Sequence, residues 1–100
     1  MREAVIVSTA RTPIGKAYRG AALQQGSTSG NVARQCALRA GLPTSVSGMS
    51  MDRQCASGLM AIATAAKEII VDNMDVAVAG GLESISLVQN DKMNTFRSEE

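Results

Sequence analysis

One hundred residues, 45% of them hydrophobic and 19% charged, make one small domain and exclude two. A formal charge of +1, a pI near 7.8 and only two aromatic residues, Tyr18 and Phe96, argue against nucleic acid or membrane as a partner. Two cysteines without paired spacing do not form a disulfide framework. The N-terminus carries no secretory pattern, and no apolar run approaches the roughly 20 residues of a membrane span, so the expectation is a soluble protein of the reducing cytoplasm.

In chain order the pattern alternates strands with helices, the signature of an α/β fold. The apolar run Ala4-Val5-Ile6-Val7 predicts a strand covered on both faces. From Arg11 to Gly30 the chain reads as loop, with Thr12-Pro13 and Gly15, Gly20, Gly26 and Gly30 as its turn residues. Ser29 or Asn31 is the candidate cap of a helix through Val32, Ala33, Cys36, Ala37 and Leu38, and Gly41 followed by Pro43 ends it. Val46, Met49 and Met51 alternate imperfectly and predict a strand over 46–54. The next helix is predicted over 56–71, ending near Asp72-Asn73. Asp75-Val76-Ala77-Val78-Ala79 then predicts a further buried strand, closed by Gly80-Gly81, and the tail from Glu83 to Glu100 turns polar.

Cys55 is the candidate nucleophile. It stands in Met51-Asp52-Arg53-Gln54-Cys55-Ala56-Ser57-Gly58-Leu59, where an apolar run gives way to a small-residue helix start. There, unpaired backbone N–H groups and the positive end of the helix dipole favour the reactive thiolate. The chain has no histidine, the usual base beside such a thiol. The helix that follows is rich in small residues (Ala56, Ala61, Ala63, Ala65, Ala66, with Ser57, Gly58 and Thr64), which predicts burial inside a layered structure. Gly58 weakens that helix by about 1 kcal/mol relative to alanine, so either a second layer or a substrate is expected to approach it closely.

Four segments together resemble the N-terminal domain of thiolases: Arg11-Thr12-Pro13-Ile14-Gly15-Lys16, Asn31-Val32-Ala33-Arg34 with the stretch Leu38 to Pro43, the Cys55 segment, and Gly80-Gly81-Leu82-Glu83-Ser84. The tail Gln89-Asn90-Asp91-Lys92-Met93-Asn94 is similar to the start of the loop domain of bacterial members. The resemblance implies an α/β/α/β/α layered fold, of which residues 1–100 supply part of the N-terminal half and 84–100 the beginning of the loop domain. It also implies acyl transfer between acyl-CoA and coenzyme A through an acyl-enzyme on Cys55, either as thiolytic cleavage of a 3-ketoacyl-CoA or as condensation of two acetyl-CoA. Coenzyme A thioesters are then substrates, with no further cofactor and no metal, and the protein is a homo-oligomer, dimer or tetramer, as in the family.

Two departures from the family pattern stand out. The family's histidine in a Gly-His-Pro setting, its second cysteine in a Cys-Gly-Gly setting and its Asn-Glu-Ala segment belong to a C-terminal half that these residues do not include, so the chain alone is expected not to turn over. Between the counterparts of Gly20 and Gln24 members carry a helix and a strand, whereas here Arg19 to Gly26 runs straight through, an apparent internal gap of a few dozen residues. Two other readings remain open: a β-ketoacyl synthase-like condensing enzyme, which shares the fold and a cysteine nucleophile, and a non-catalytic truncated fragment. A cysteine hydrolase is disfavoured by the missing histidine.

The other candidates take structural readings first. Cys36 repeats the local string Arg-Gln-Cys-Ala but lies inside a helix, where a small buried hydrophobe is expected. Asp52 and Arg53 are expected to pair with each other or with neighbours, as a structural or dimer-interface charge pair. Arg11, Lys16 and Arg34 are weak candidates for coenzyme A phosphates. Glu83 is expected to make a structural hydrogen bond, and Gly80-Gly81 a tight turn.

Overall fold

The computed structural model describes residues 2–11 and 30–83. Within them the chain forms helix α1 (Val32–Arg39), a short 3₁₀ turn (Gln54–Ala56) and helix α2 (Ser57–Val71). The loop reading of 12–29, the apparent gap near 20–24 and the polar tail 84–100 lie outside the described residues.

Helix α1 starts where the sequence places its cap. The Asn31 side-chain oxygen accepts from the Arg34 N–H at 3.1 Å, satisfying one of the donors that a helix start leaves orphaned. A second is taken from outside the helix, the Ala33 N–H donating to Ser50 Oγ at 3.0 Å. At the other end Gly41 has φ +83, and two backbone bonds close the helix, Gly41 N–H to Leu38 O and Leu42 N–H to Ala37 O, both at 3.1 Å. That pair is the Schellman arrangement, and its left-handed residue costs nothing at glycine.

The segment 46–51 lies across the first turn of α1 and is tied there by side chains. Asn31 Nδ2 donates to Gly48 O at 2.7 Å, and Ser50 Oγ donates back to Asn31 Oδ1 at 3.1 Å. The Arg34 guanidinium donates to the Val46 and Thr44 carbonyls, the latter at 2.8 Å. Backbone groups of 44–48 thus bond to α1 side chains. The predicted strand over 46–54 is not formed; the carbonyls of Val46 and Gly48 are taken by Arg34 and Asn31 instead of by a neighbouring strand.

The two outer strands are likewise absent, since no residue among those described belongs to a strand. Val7 and Val78 are each 89% exposed, so the runs 4–7 and 75–79 lack both the neighbouring ladder and the covering layer that a buried strand requires. The Arg2 guanidinium brings the two runs together at their beginnings, donating to Asn73 Oδ1 at 3.3 Å and forming an ion pair with Asp75 at 3.2 Å.

Helix α2 matches its prediction to within one residue and ends at Asp72, followed by Asn73 in the left-handed region at φ +59. Its expected burial is not found. No residue of α2 is fully buried, and Leu59 is 74% exposed, because no second layer packs on that face among the described residues. With its preceding turn the helix forms an 18-residue stretch of mean hydropathy 1.2, enough by length and composition to cross a membrane, which corrects the expectation that no run approaches that length. Lys67 and Glu68 fall inside that stretch, and charges in a span are costly, whereas a core helix tolerates them at its edge.

Candidate nucleophile turn

Cys55 sits in the middle of the 3₁₀ turn that leads into α2, with its side chain exposed. The predicted helix-start location is found, with the difference that a separate tight turn carries the thiol and the α-helix begins two residues later. Gln54, immediately before it, has φ +48. A left-handed backbone at a residue with a Cβ costs about 1–2 kcal/mol, so it persists only when neighbours hold it.

Those neighbours are on either side of the thiol. Asp52 Oδ1 accepts from the Gln54 N–H at 2.7 Å. Ser57 Oγ accepts from the Arg53 N–H at 2.8 Å and donates to Gln54 O at 2.7 Å, spanning the turn from its far end. The Ala56 N–H returns to Arg53 O at 3.1 Å, and the Ser57 N–H to Gln54 O. These bonds engage the N–H groups of Arg53, Gln54, Ala56 and Ser57 and not that of Cys55. The result is an exposed sulfur on a backbone pinned at both ends.

The glycines after the turn mark an approach by another segment. A Cβ on Gly81 would stand 3.7 Å from the Gly58 Cα, while the Cβ direction of Gly58 itself is open. Gly81 therefore lies beside the backbone of Gly58, but the close approach expected in the space left by the missing Gly58 side chain is not found among the described residues. Residues 80–83 form no turn, so the tight turn expected at Gly80-Gly81 is not found among the described residues. One residue on, Leu82 joins Val32, Gln35, Cys36, Arg39 and Ala40 in lining an open groove of about 490 Å³ along α1.

Several candidates change their reading here. Cys36 lies within α1 as predicted but is exposed rather than buried, because the face of α1 that carries it borders the groove. Asp52 and Arg53 do not pair. Asp52 holds the Gln54 amide and Arg53 Nη1 reaches Met60 Sδ at 3.2 Å, so each partner is local to the turn or to α2. Arg34 is committed to two carbonyls and is not free for a phosphate. Arg11 and Glu83 are exposed and make no hydrogen bond with the described residues, so the structural bond expected of Glu83 is not formed there. Lys16 lies outside the described residues. Among the described residues no group of three His, Cys, Asp or Glu is placed to hold a metal ion.

Sequence reasoning missed Asp52 and Ser57 as the two clamps of the turn. Both had a signal, since aspartate and serine commonly bond backbone groups a few residues away. The left-handed conformation of Gln54 had none.

Comparison with known proteins agrees with the motifs. A family model described as the thiolase N-terminal domain matches residues 17–100. The chain is 49% identical over 69 residues to a β-ketoadipyl-CoA thiolase of Pseudomonas aeruginosa, covering 69% of this chain and 17% of that protein. It is 36% identical over 123 positions to a 3-ketoacyl-CoA thiolase of Bacillus subtilis, covering 88% and 32%. To a mitochondrial acetyl-CoA acetyltransferase of Macaca fascicularis it is 34% identical over 122 positions, covering 88% and 28%. The chain thus spans a third or less of the length of these relatives. No solved structure matches it. These relatives are enzymes by name, and the match spans most of the chain. The chain belongs to the thiolase family and corresponds to its N-terminal domain.

Proposed function

We propose that the chain carries the nucleophilic half of a thiolase-type acyltransferase, with Cys55 as the residue that takes the acyl group. The observation that carries this reading is the Cys55 turn itself, an exposed thiol on a clamped backbone at the start of a helix, in a chain of this family. In the cleavage direction the Cys55 thiolate adds to the 3-keto carbon of a 3-ketoacyl-CoA. The bond between C2 and C3 breaks, its electron pair passes to C2, and protonation there releases acetyl-CoA. The thiol of coenzyme A, losing its proton, then attacks the acyl-Cys55 thioester and the Cys55 thiolate leaves. Condensation of two acetyl-CoA is the reverse. Covalent transfer divides one difficult cleavage into two easier steps. A Cys55 N–H outside the hydrogen bonds of the turn supports its use as a donor to the oxyanion that forms.

The substrates in this reading are acyl-CoA and coenzyme A, and the location is cytoplasmic. The residues present do not complete the cycle. With no histidine, the chain has no imidazole to take the proton from Cys55 or from coenzyme A. A layered α/β/α/β/α arrangement in the assembled protein is part of the proposal, and the Arg2 contacts support it by bringing the residues that precede the runs 4–7 and 75–79 together. So is an internal gap near 20–24, since 88% of this chain aligns across 123 positions of the Bacillus relative.

The test is to incubate the pure chain with acetoacetyl-CoA and coenzyme A. The expected result is an acetyl adduct that maps to Cys55 and not to Cys36, with no steady cleavage. An adduct spread equally over both cysteines would overturn Cys55 as the acyl carrier, and steady turnover would overturn the incompetence of the isolated chain.

A further inference from the structure

We infer that Asp52 is the positioning residue of the nucleophile, acting through the backbone of Gln54; the inference rests on Cys55 being the acyl carrier. Gln54 is one of two non-glycine residues in the left-handed region among those described, and it directly precedes the thiol, so its φ of +48 sets the direction in which Cys55 leaves the chain. The Asp52 carboxylate accepts the N–H of that same residue at 2.7 Å, the length of a charge-assisted bond. Ser57 grips the carbonyl of Gln54 at 2.7 Å. The peptide units on either side of the strained Gln54 Cα are therefore both held, and α2, which begins at Ser57, supplies only one of the two clamps. Asp52 lies before the turn and outside any helix, so nothing about helix formation requires its carboxylate. It makes no ion pair with Arg53, its neighbour in sequence, which leaves the carboxylate to the Gln54 amide. Because the thiol is exposed, packing does not orient it, and the backbone conformation at Gln54 is what remains to do so.

The role asks of residue 52 an acceptor for the Gln54 N–H. An asparagine in its place keeps an Oδ1 acceptor at the same reach, while an alanine removes it. A glycine at 54 adopts a left-handed φ without help, so it makes the acceptor dispensable. These three substitutions separate positioning from mere folding.

Labelling by limiting iodoacetamide, with peptide mass mapping of Cys55 against Cys36, reads the effect. The unchanged chain is expected to label preferentially at Cys55. Asp52→Ala is expected to lower that preference roughly tenfold, the effect of losing one hydrogen bond to a charged group. Asp52→Asn is expected to retain it, and Asp52→Ala combined with Gln54→Gly to restore it, with helical circular dichroism the same throughout. A preference that survives in Asp52→Ala overturns the positioning role alone. Equal labelling of the two cysteines in the unchanged chain overturns the acyl-carrier reading and this inference with it. Should Asp52→Ala lose its helices, Asp52→Asn decides, since loss of preference in that variant with α2 intact also overturns the inference.

Discussion

A Cβ on Gly48 would stand 2.6 Å from the amide nitrogen of Arg34 and 2.7 Å from its Cα, inside the closest approach that real side chains tolerate. The backbone of Gly48 therefore lies directly on the first turn of α1. This contact, with the Asn31, Arg34 and Ser50 bonds around it, fixes the path of the chain four residues before it reaches Asp52. Through that path α1 is connected to the turn that carries Cys55, although the two share no hydrogen bond.

Gly48→Ala is expected to destabilise the chain by about 1–3 kcal/mol, the usual cost of forcing atoms into a filled space. The opposing atoms are backbone and cannot rotate away. Gly58→Ala is the matched control. Nothing lies within 4 Å of its Cβ direction, and alanine favours the helix by about 1 kcal/mol, so this variant is expected to gain stability. Thermal melts followed at the helical circular dichroism band give both signs, and equal effects would contradict the contact at Gly48.

Asn31 has two separable roles. Its Oδ1 caps α1 at Arg34, and its Nδ2 holds the Gly48 carbonyl at 2.7 Å. Asn31→Ala is expected to cost about 0.5–2 kcal/mol for the cap alone, with the tether lost in addition. Asn31→Asp keeps an acceptor for Arg34 and places a negative charge at the positive end of the helix, which is favourable. It loses only the tether and is expected to fall between the two in a urea titration. An aspartate variant as unstable as the alanine would show that the cap contributes nothing.

The helices and their ends were legible because the chemistry that makes them is local. Asn31, Gly41 and Asn73 satisfy or turn the backbone within a few residues of themselves, and sequence carries that information directly. Cys55 was legible as a helix-start thiol for the same reason. The strands failed for a non-local reason. An apolar run such as Val5-Ile6-Val7 records a partner strand and a covering layer, and the described residues contain neither. Arg34 was misread because a guanidinium five bonds from its Cα reaches carbonyls 10 and 12 residues away, which no local pattern reveals. Gln54 was missed because glutamine has no preference for the left-handed region that would flag it.

The exposed apolar surface has a consequence that concentration will reveal. Val5, Ile6 and Val7 on one run and Val76 and Val78 on the other are between 70% and 89% exposed, and Arg2 draws the two runs together at their starts. Backbone without ladder partners and apolar side chains without cover favour pairing with another chain. Sedimentation velocity over a range of concentrations is expected to show association that grows with concentration, in line with the homo-oligomer that the family resemblance implies. Val76→Lys with Val78→Lys is expected to weaken it at least tenfold, since each lysine must be desolvated to enter such a contact. The Arg2 contact should survive those substitutions, because it is made by Asn73 and Asp75 before the run begins. A single monomeric species at every concentration would show that these runs are satisfied within one chain.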